Sequence, residues 1–271
     1  MSESATQQQV EQQQASHDVQ SHAEETGIPI PDTLSLLPVR DLVLFPGMVQ
    51  QLHITRDSLV KLVDDAAAKG NRFVAVSAVR NSELQDPTFE DAYRIGAAAY
   101  IRMMIKLPDG IRMMIQGVQR IELLEPVQTE PYIQVRVRRL SSYEPEDQAG
   151  KDEVEAMRRS AGELFARMAE LSHQIPDELA GAGDAIASPG ALADFLAANT
   201  SMAVSERQDL LETLDVRERL RKLLGFLTRE VQMLELQGKI QSQVSSELSK
   251  TQREYYLREQ LRAIQKELGE T

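Results

Sequence analysis

The 271-residue sequence contains no cysteine and no tryptophan. Without cysteine, the chain forms neither disulfides nor thiolate metal sites. Only four histidines are present, and His17 and His22 lie in a polar N-terminal segment, which argues against a zinc site held by protein ligands. No apolar run approaches the roughly 18 residues of a membrane span, and the N-terminus lacks the apolar core of a secretory signal. The sequence therefore predicts no metal, no cofactor and no membrane contact.

Scarce aromatic residues and an excess of acids argue against nucleic-acid binding. Aromatics make up 4% of the chain and the net charge is −12, so side chains for base stacking and for phosphate contacts are both limited. The basic clusters are confined to Arg136, Arg138 and Arg139, and to Arg158 and Arg159. We do not expect DNA binding from this region, and nucleic-acid binding is the weakest of the alternatives.

The signatures of common catalytic sites are missing as well. The sequence contains no phosphate-cradling G-x-x-x-x-G-K-S/T loop, no G-x-S-x-G elbow and no H-E-x-x-H motif. His53 lies in a predicted strand, where a structural or surface role is expected, and Asp64-Asp65 fits a solvated helix face. Since no nucleophile–base arrangement stands out, we do not expect this chain to be an enzyme.

Charge and composition divide the chain into four parts. Residues 1–33 contain six acids and no base, and residues 1–26 are dominated by Gln and Ser, a composition that cannot bury enough apolar surface to become ordered. We predict a disordered acidic tail over 1–33 and a β-rich domain over 34–141. A Ser-, Pro- and acid-rich stretch at 141–150 predicts a linker, followed by a helical bundle over 150–204 and a long helix over 205–271. The predicted fold class is α+β.

The β-rich part consists of short apolar runs bounded by proline and glycine. Strands or strand-like runs are predicted at 34–39, 42–45, 50–54, 72–79, 118–124 and 132–140, with one helix over 56–68 where apolar residues recur at helical spacing. Several short strands with a single helix are typical of a small barrel or sandwich-like domain.

The clearest motif in this part is a hairpin between residues 100 and 116. The pentapeptide Ile-Arg-Met-Met-Ile at 101–105 recurs at 111–115, and Pro108-Asp109-Gly110 between the two copies is a strong turn signal. Because side chains alternate across a strand, the two isoleucines of each copy share one face with its first methionine.

The methionines of this hairpin are candidate binding residues. Met103 and Met113 share a face with the isoleucines, so we expect them in the core. Met104 and Met114 fall on the opposite face beside arginines, so we expect them to be exposed. Methionine is flexible, polarizable and common at promiscuous binding surfaces. The alternative is that Met104 and Met114 fill gaps in the core beneath the arginine stems.

The C-terminal half is strongly helical. Apolar residues recur at helical spacing over 151–174, and Ser188-Pro189 is typical of the cap and first position of a helix reaching residue 199. From 205 to 268 there is no proline. We therefore expect one helix of about 60 residues, about 90 Å long at 1.5 Å per residue, which suits a spacer, a lever or an oligomerisation arm.

Two apolar seams follow this predicted helix. The first has the 4-3-4-3 spacing of a coiled coil, and the second has a 4-3-4 spacing out of phase with the first. A polar stretch over 237–254 separates them, and Tyr255 and Tyr256 lie beside the second seam. We expect these residues to pack the bundle or to mediate assembly. The first seam comprises Leu220, Leu224, Leu227, Val231 and Leu234, and the second Leu257, Leu261, Ile264 and Leu268.

Several stretches resemble the N-terminal region of the Lon family of ATP-dependent proteases. The similarity covers roughly residues 34–271, and in the family the C-terminal stretch leads into the ATPase module. The resemblance is carried by Leu37–Gly47 (LPVRDLVLFPG), by Arg94-Ile95-Gly96, Lys106–Gly110 and Gly117–Ile121, by Leu211–Leu220, and most strongly by Lys250–Glu270 (KTQREYYLREQLRAIQKELGE).

The resemblance implies a PUA-like, barrel-type β domain, a helical bundle and a long helix. It also implies a cytoplasmic homohexamer, mitochondrial in eukaryotes, that unfolds damaged proteins with an ATPase ring and cuts them with a Ser-Lys dyad. Both modules, together with their ATP and magnesium, would follow Thr271. This region would then carry neither an ATP site nor a peptidase site.

By the same resemblance, this region captures unfolded or damaged clients and helps to organise the hexamer. An apolar loop at 45–48 is a candidate clasp for an unfolded segment, although the turn could instead fold Phe45 into the core. The candidate client-binding residues are Phe45, Pro46, Met48, Met104, Met114 and Leu123. The alternative is a stand-alone helical adaptor without a protease partner, which a reading frame continuing past Thr271 into a P-loop would exclude.

Overall fold

The computed structural model describes residues 29–68, 71–172 and 175–267. The predicted tail up to residue 28 and the last position of the second seam, Leu268, lie outside these ranges. The strands are β1 (Thr33–Val39), β2 (Val49–Ile54), β3 (Phe73–Ala78), β4 (Ile95–Leu107), β5 (Gly110–Gln128) and β6 (Gln134–Leu140). The helices are α1 (Asp57–Ala68), α2 (Gln148–Leu171), α3 (Asp177–Ala182), α4 (Pro189–Ala198), α5 (Val204–Glu212) and α6 (Val216–Glu267). The predicted α+β class is confirmed.

Five of the strands pair into a closed ring. β1 pairs in parallel with β3 and antiparallel with β6, β4 joins β3 to β5, and the C-terminal half of β5 pairs with β6. One buried cluster draws side chains from all five strands, as expected for the inside of a sheet that closes on itself. Its members include Leu36, Ala75, Ala98, Ile121 and Val135.

A three-stranded extension projects from this ring. It consists of β2, residues 101–107 of β4 and residues 110–116 of β5, and β2 pairs there with β5 alone. Its inner face packs against α1, where Leu62 and Val63 meet Ile101, Ile111 and Ile115. The predicted hairpin and its turn are therefore present, because Leu107 pairs directly with Gly110.

β5 runs for 19 residues where two strands were predicted. The sequence interrupts the apolar pattern at Gly117, yet the strand continues through it. A Cβ atom at Gly117 would lie 2.2 Å from the carbonyl oxygen of Phe45. This glycine therefore marks a close approach of two backbone segments and not the end of a strand.

The helices form a bundle whose core is continuous with one side of the sheet. The first seam of α6 packs inside this bundle with Phe165 of α2 and Leu192 of α4. Val43 and Phe45, which precede β2, belong to the same buried cluster. The predicted helices over 151–174 and 189–199 correspond to α2 and α4. As predicted, Ser188 caps α4, since its hydroxyl accepts a hydrogen bond from the Ala191 amide at 3.3 Å.

The prediction of one uninterrupted helix from 205 is wrong, because the chain leaves the helix at 213–215. The Asp215 carboxylate starts α6 by accepting hydrogen bonds from the amides of Arg217 and Glu218, at 2.9 and 3.3 Å. The Thr213 carbonyl oxygen accepts two hydrogen bonds from the Arg219 guanidinium, at 2.8 and 2.6 Å. α6 itself has 52 residues and is about 78 Å long at 1.5 Å per residue.

The segment that joins the sheet to the helices is held at this same break. The Tyr143 amide donates to the Leu214 carbonyl oxygen at 3.1 Å, and the Val216 amide donates to the Tyr143 carbonyl oxygen at 3.0 Å. The predicted linker is thus anchored on α6, and α2 begins inside it at Gln148. Among the helices within 29–68, 71–172 and 175–267, none is long and apolar enough to cross a membrane.

Candidate functional site

The outer face of the three-stranded extension exposes large apolar side chains. Met103 pairs with Met114 across β4 and β5, and Gln51 of β2 pairs with Met114 from the other side. Because paired residues share a face, these strands build one continuous surface. Met103 and Ile105 are 51% and 50% exposed, and Val49 is also exposed. We call Val49, Met103, Ile105 and Met114 the hairpin face.

A β-bulge explains why this face differs from the predicted one. The register passes from Ile101–Ile115 to Met103–Met114, so Arg102 is an extra residue on β4. An extra residue reverses the alternation that follows it. The predictions that Met104 is exposed and that Met103 is core are therefore wrong. Met104 is half-buried and packs on the core beneath α1.

The second strand of the hairpin keeps its predicted faces. Met113 is buried, as predicted. Met114 lies on the outer face but is half-buried rather than fully exposed. Nothing in the amino-acid pattern of residues 101–105 signals the bulge, which is why Met103 and Ile105 were not among the predicted binding residues. Val49 was missed because the predicted strand began at residue 50, whereas β2 begins at Val49.

Two of the predicted binding residues are not accessible. Phe45 is fully buried in the core shared by the sheet and the helices, and Leu123 is buried inside the ring. The structure thus corrects both as surface candidates. For Phe45 the alternative interpretation is the correct one, because its turn folds the side chain into the core. Leu123 is buried because it occupies an inward position of β5. Two other exposed apolar residues, Leu124 and Val127, are extra residues at bulges in the β5–β6 pairing.

The loop at 45–48 lies beside the hairpin face. The Gly47 amide donates to the Gly117 carbonyl oxygen at 2.8 Å, and the Gly117 amide donates to the Met48 carbonyl oxygen at 2.9 Å. Gly47 has a φ of 80°, a conformation that favours glycine. Pro46 and Met48 are half-buried, and Met48 packs on both the helical core and the core beneath α1. These two residues lie at the border of the hairpin face and are less exposed than Met103 and Ile105.

The extension also has an unpaired backbone edge. β4 pairs with β3 only from Ala97 to Tyr100. Beyond that point, from Arg102 to Leu107, no strand among the described residues pairs with the edge of β4 opposite β5. A strand edge of this kind presents free N–H and C=O groups to an extended chain.

A cavity of about 680 Å³ opens at the end of the hairpin face. Gln116 and Gly117 of β5 and Pro46 and Gly47 of the loop line one side. Gln116 pairs with Val49 of the face, so the cavity and the face are continuous. Its remaining walls come from β3, β4 and β6, and from residues 29–30 and 141–142.

The orientation of the sheet on the helices is fixed by a buried ion cluster. Arg120 of β5 binds both carboxylate oxygens of Asp194 of α4, at 2.7 and 2.6 Å, and Arg219 of α6 binds the same carboxylate at 3.1 Å. Arg120, Asp194 and Arg219 are 4%, 3% and 1% exposed. Burial lowers the pKa of Arg219 to about 10, against the opposing effect of Asp194, so this guanidinium remains charged at neutral pH.

The basic clusters of the sequence are mostly neutralised by neighbouring acids. Arg136 pairs with Glu125 at 3.3 Å, and Arg138 pairs with Glu122. Arg158 and Arg159 both hydrogen-bond Glu155, and these bonds hold the pKa of that carboxyl at about 2. Of these five arginines, Arg139 is the one without an acid partner in the described part of the chain, so the clusters offer few of the unpaired cations that contacts to a phosphate backbone use.

The assembly candidates on α6 divide into a buried and an exposed set. Leu220, Leu227 and Val231 are buried and Leu224 and Leu234 are partly buried, all in the bundle of the same chain. From Leu236 onward, every side chain described on α6 is exposed. The large apolar residues of this outer half are Leu236, Ile240, Val244, Leu248, Tyr255, Tyr256, Leu257, Leu261 and Ile264.

A histidine and an aspartate lie close together at the edge of the hairpin face. His53 lies on the rim of the hairpin face with its Nε2 atom 3.6 Å from Asp109. In the part of the chain that the structure describes, no three His, Asp or Glu side chains are grouped as a metal site. The chemistry that this surface offers is therefore contact through apolar side chains, backbone edge groups and arginines.

Comparison with known proteins decides the family. Residues 33–229 match the family described as ATP-dependent protease La (LON) substrate-binding domain. This chain belongs to that Lon family. The match includes the whole ring, the extension and α6 up to residue 229, so the hairpin face lies within the Lon substrate-binding domain.

Relatives of known sequence agree. The chain is 42% identical over 243 residues to the Lon protease of Dictyoglomus thermophilum, covering 89% of this chain and 30% of that protein. It is 40% identical over 238 residues to the Lon protease of Heliobacterium modesticaldum, covering 88% of this chain and 29% of that one. The chain thus spans about 30% of the length of these Lon proteases.

A solved structure supports the fold. The N-terminal domain of the Mycobacterium avium complex Lon protease superposes with a TM-score of 0.58 at 23% sequence identity. The superposition covers 72% of this chain and 98% of that one. The arrangement of a β-rich sheet followed by helices is therefore that of a Lon N-terminal domain.

Proposed function

We propose that this region captures unfolded or damaged proteins for a Lon protease, and that the hairpin face is where they bind. The observation that carries the proposal is the half-exposure of Met103 and Ile105 on a three-stranded sheet supported by α1. Clustered apolar side chains on the surface of a folded domain are typical of interaction sites. Methionine side chains adapt to differing partners, which suits clients of unrelated sequence.

The unpaired edge of β4 supports an extended binding mode. An unfolded segment laid along residues 102–107 would add a strand to the sheet and satisfy its own backbone groups there. Backbone pairing does not depend on the amino-acid sequence of the bound segment. A native protein keeps its apolar extended segments buried, so they cannot reach this edge. The face and the edge together would therefore select for the unfolded state rather than for a particular motif.

The exposed half of α6 supports a second role in assembly. About 45 Å of this helix, at 1.5 Å per residue, carries apolar side chains that the described part of the chain does not cover. We infer that it packs against other copies of the chain in a homohexamer. The family's description as an ATP-dependent protease supports the further proposal that the longer Lon protein carries an ATPase ring and a Ser-Lys peptidase, which use ATP and magnesium. We propose no cofactor for this region and a cytoplasmic location for the enzyme.

The test of client capture is a binding measurement with a permanently unfolded, fluorescently labelled protein and its native form. We expect the chain to bind the unfolded form alone. Met103→Ser with Ile105→Ser should weaken that binding by about tenfold or more, because two half-exposed apolar side chains would no longer be buried by the client. The melting temperature should stay unchanged, since neither side chain belongs to the core.

The matched control is Leu124→Ser with Val127→Ser, which removes two exposed apolar residues from the β5–β6 part of the sheet, outside the hairpin face. This variant should bind the unfolded protein as the parent chain does. Equal losses in both variants, or equal binding of native and unfolded protein, would contradict the assignment of the face.

A further inference from the structure

The cavity at the end of the hairpin face has an unbalanced charge. Its described lining includes three arginines, Arg102, Arg120 and Arg139, and no acidic residue. Arg120 is already bound to Asp194. The charge available to a ligand therefore comes from Arg102 and Arg139.

Both of these arginines are free to bind a ligand. Neither side chain forms a hydrogen bond or ion pair with any group in residues 29–68, 71–172 or 175–267. Their neighbours differ: Arg136 and Arg138 on the same strand as Arg139 both pair with acids of β5. An unpaired guanidinium offers a planar fork of N–H donors that matches a carboxylate.

A glutamine lines the cavity as well. Gln116 is only 7% exposed, yet its amide is not among the fully buried polar atoms that lack a hydrogen-bond partner in the described chain. Its amide atoms therefore reach open space, where they can hydrogen-bond solvent or a ligand.

Two bulges shape this site. Arg102 is the extra residue of the first, and Val118, another lining residue, is the extra residue where the register passes from Ala98–Gln119 to Ala99–Gly117. Bulges re-aim side chains and are common beside binding sites. The same irregularity that exposes Met103 thus also sets Arg102 at the cavity.

We propose that this cavity binds the carboxylate of an acidic side chain in an extended client segment whose apolar residues lie on the hairpin face. Arg102 and Arg139 would supply the charge-assisted hydrogen bonds, and Gln116 would donate through its amide. The apolar walls at Phe73 and Leu140 suit the methylene stem of such a residue. The proposal rests on the proposed function, since the client must first occupy the face.

The experiment uses two short fluorescent peptides of identical apolar sequence, one carrying glutamates and the other glutamines at the same positions. We expect the full chain to bind both and to prefer the glutamate peptide by about tenfold, equivalent to about 1.4 kcal/mol. Arg102→Gln with Arg139→Gln should abolish this preference while leaving the glutamine peptide's affinity unchanged. The matched control is Arg112→Gln, which lies between His53 and Ile105 on the outer face of the extension but does not line the cavity, and which should keep the preference.

Each contrary result has a distinct meaning. A preference that is absent from the parent chain, or that survives in the double variant, overturns the cavity assignment and leaves client capture intact. Failure of the parent chain to bind either peptide overturns both proposals. Competition by inorganic phosphate at the concentration of the peptide would make the cavity a general anion site, which also overturns the assignment to a client.

The chain's own acidic N-terminal segment is the other candidate occupant of the cavity. Residues 1–28 contain five acids and no base, and Pro29 lines the cavity. Glu24→Gln with Glu25→Gln should leave the glutamate peptide's affinity unchanged if the cavity serves clients. A tenfold gain in affinity would instead assign the cavity to this segment and overturn the proposal.

Discussion

Arg120, Asp194 and Arg219 place two buried positive charges on one buried carboxylate. The cluster joins β5, α4 and α6, and the Nε atom of Arg120 also donates to the Leu211 carbonyl oxygen of α5 at 2.9 Å. Buried charges are costly unless each is paired and hydrogen-bonded. Further hydrogen bonds from Arg219 to Ser142 and Thr213 meet this requirement. The cluster therefore determines how the extension and its binding face are oriented relative to the helices.

Asp194→Asn should destabilise the chain strongly, because it leaves two buried guanidiniums without a counter-charge. We expect a loss of about 3–5 kcal/mol in the free energy of unfolding, measured by urea denaturation. The control is Asp209→Asn, which breaks an exposed pair with Lys222 and should cost less than about 1 kcal/mol. Similar small losses in both variants would contradict the role given to the buried cluster.

Single elements of this fold differ in how far their sequence determines them. Helices α1 and α2 were predicted because the apolar period of about 3.6 residues records the face that each helix buries, and α4 was predicted from the Ser188-Pro189 cap. Apolar runs bounded by proline and glycine predicted most of the strands. These signals are local, so neighbouring elements do not need to be known. The strand predicted at 42–45 is wrong, because these residues form an irregular segment whose Val43 and Phe45 pack into the helical core.

The faces of the hairpin could not be predicted from alternation. The extra residue at Arg102 arises from how β4 pairs with β5, and the identical pentapeptides at 101–105 and 111–115 give opposite results for their first methionines. The break before α6 is a partly similar case, because the backbone of Tyr143 pairs with Leu214 and Val216 from a distant part of the chain. Arg219 and the Asp215 cap act there locally. Apolar periodicity reports neither kind of contact.

At the same scale, Leu227→Asp should disrupt the helical bundle. Leu227 is fully buried among α2, α4 and α6, and an unpaired charge there should cost about 3–5 kcal/mol. Leu261→Asp makes the same change at an exposed position of α6 and should stay within about 0.5 kcal/mol. Thermal melts followed by circular dichroism compare the two. An unchanged melting temperature in Leu227→Asp would refute the position of the first seam.

At the scale of the whole molecule, the hairpin face and the exposed half of α6 are two separate apolar surfaces. The hairpin face and its cavity lie on a sheet that shares a core with the helices. α6 continues past the bundle with its apolar residues uncovered in the described chain. Under the proposed function, one shared core would support both the captured segment and the start of α6.

The outer half of α6 should drive self-association of the chain. We expect light scattering to show a mass that rises with concentration, and Ile240→Gln, Val244→Gln and Leu248→Gln together to weaken association by about tenfold or more. Stability should be unaffected, since these side chains are exposed. A parent chain that stays monomeric, or a variant that associates equally well, would contradict the assembly role.

Binding of unfolded proteins on the three-stranded extension is tested most directly by hydrogen exchange of the full chain, measured with and without a permanently unfolded protein. We expect slower exchange in residues 49–53, 102–107 and 112–116, which contain the hairpin face, the unpaired edge of β4 and part of the cavity wall. Unchanged exchange in these segments, with slowing confined to α6 or to the bundle, would contradict it.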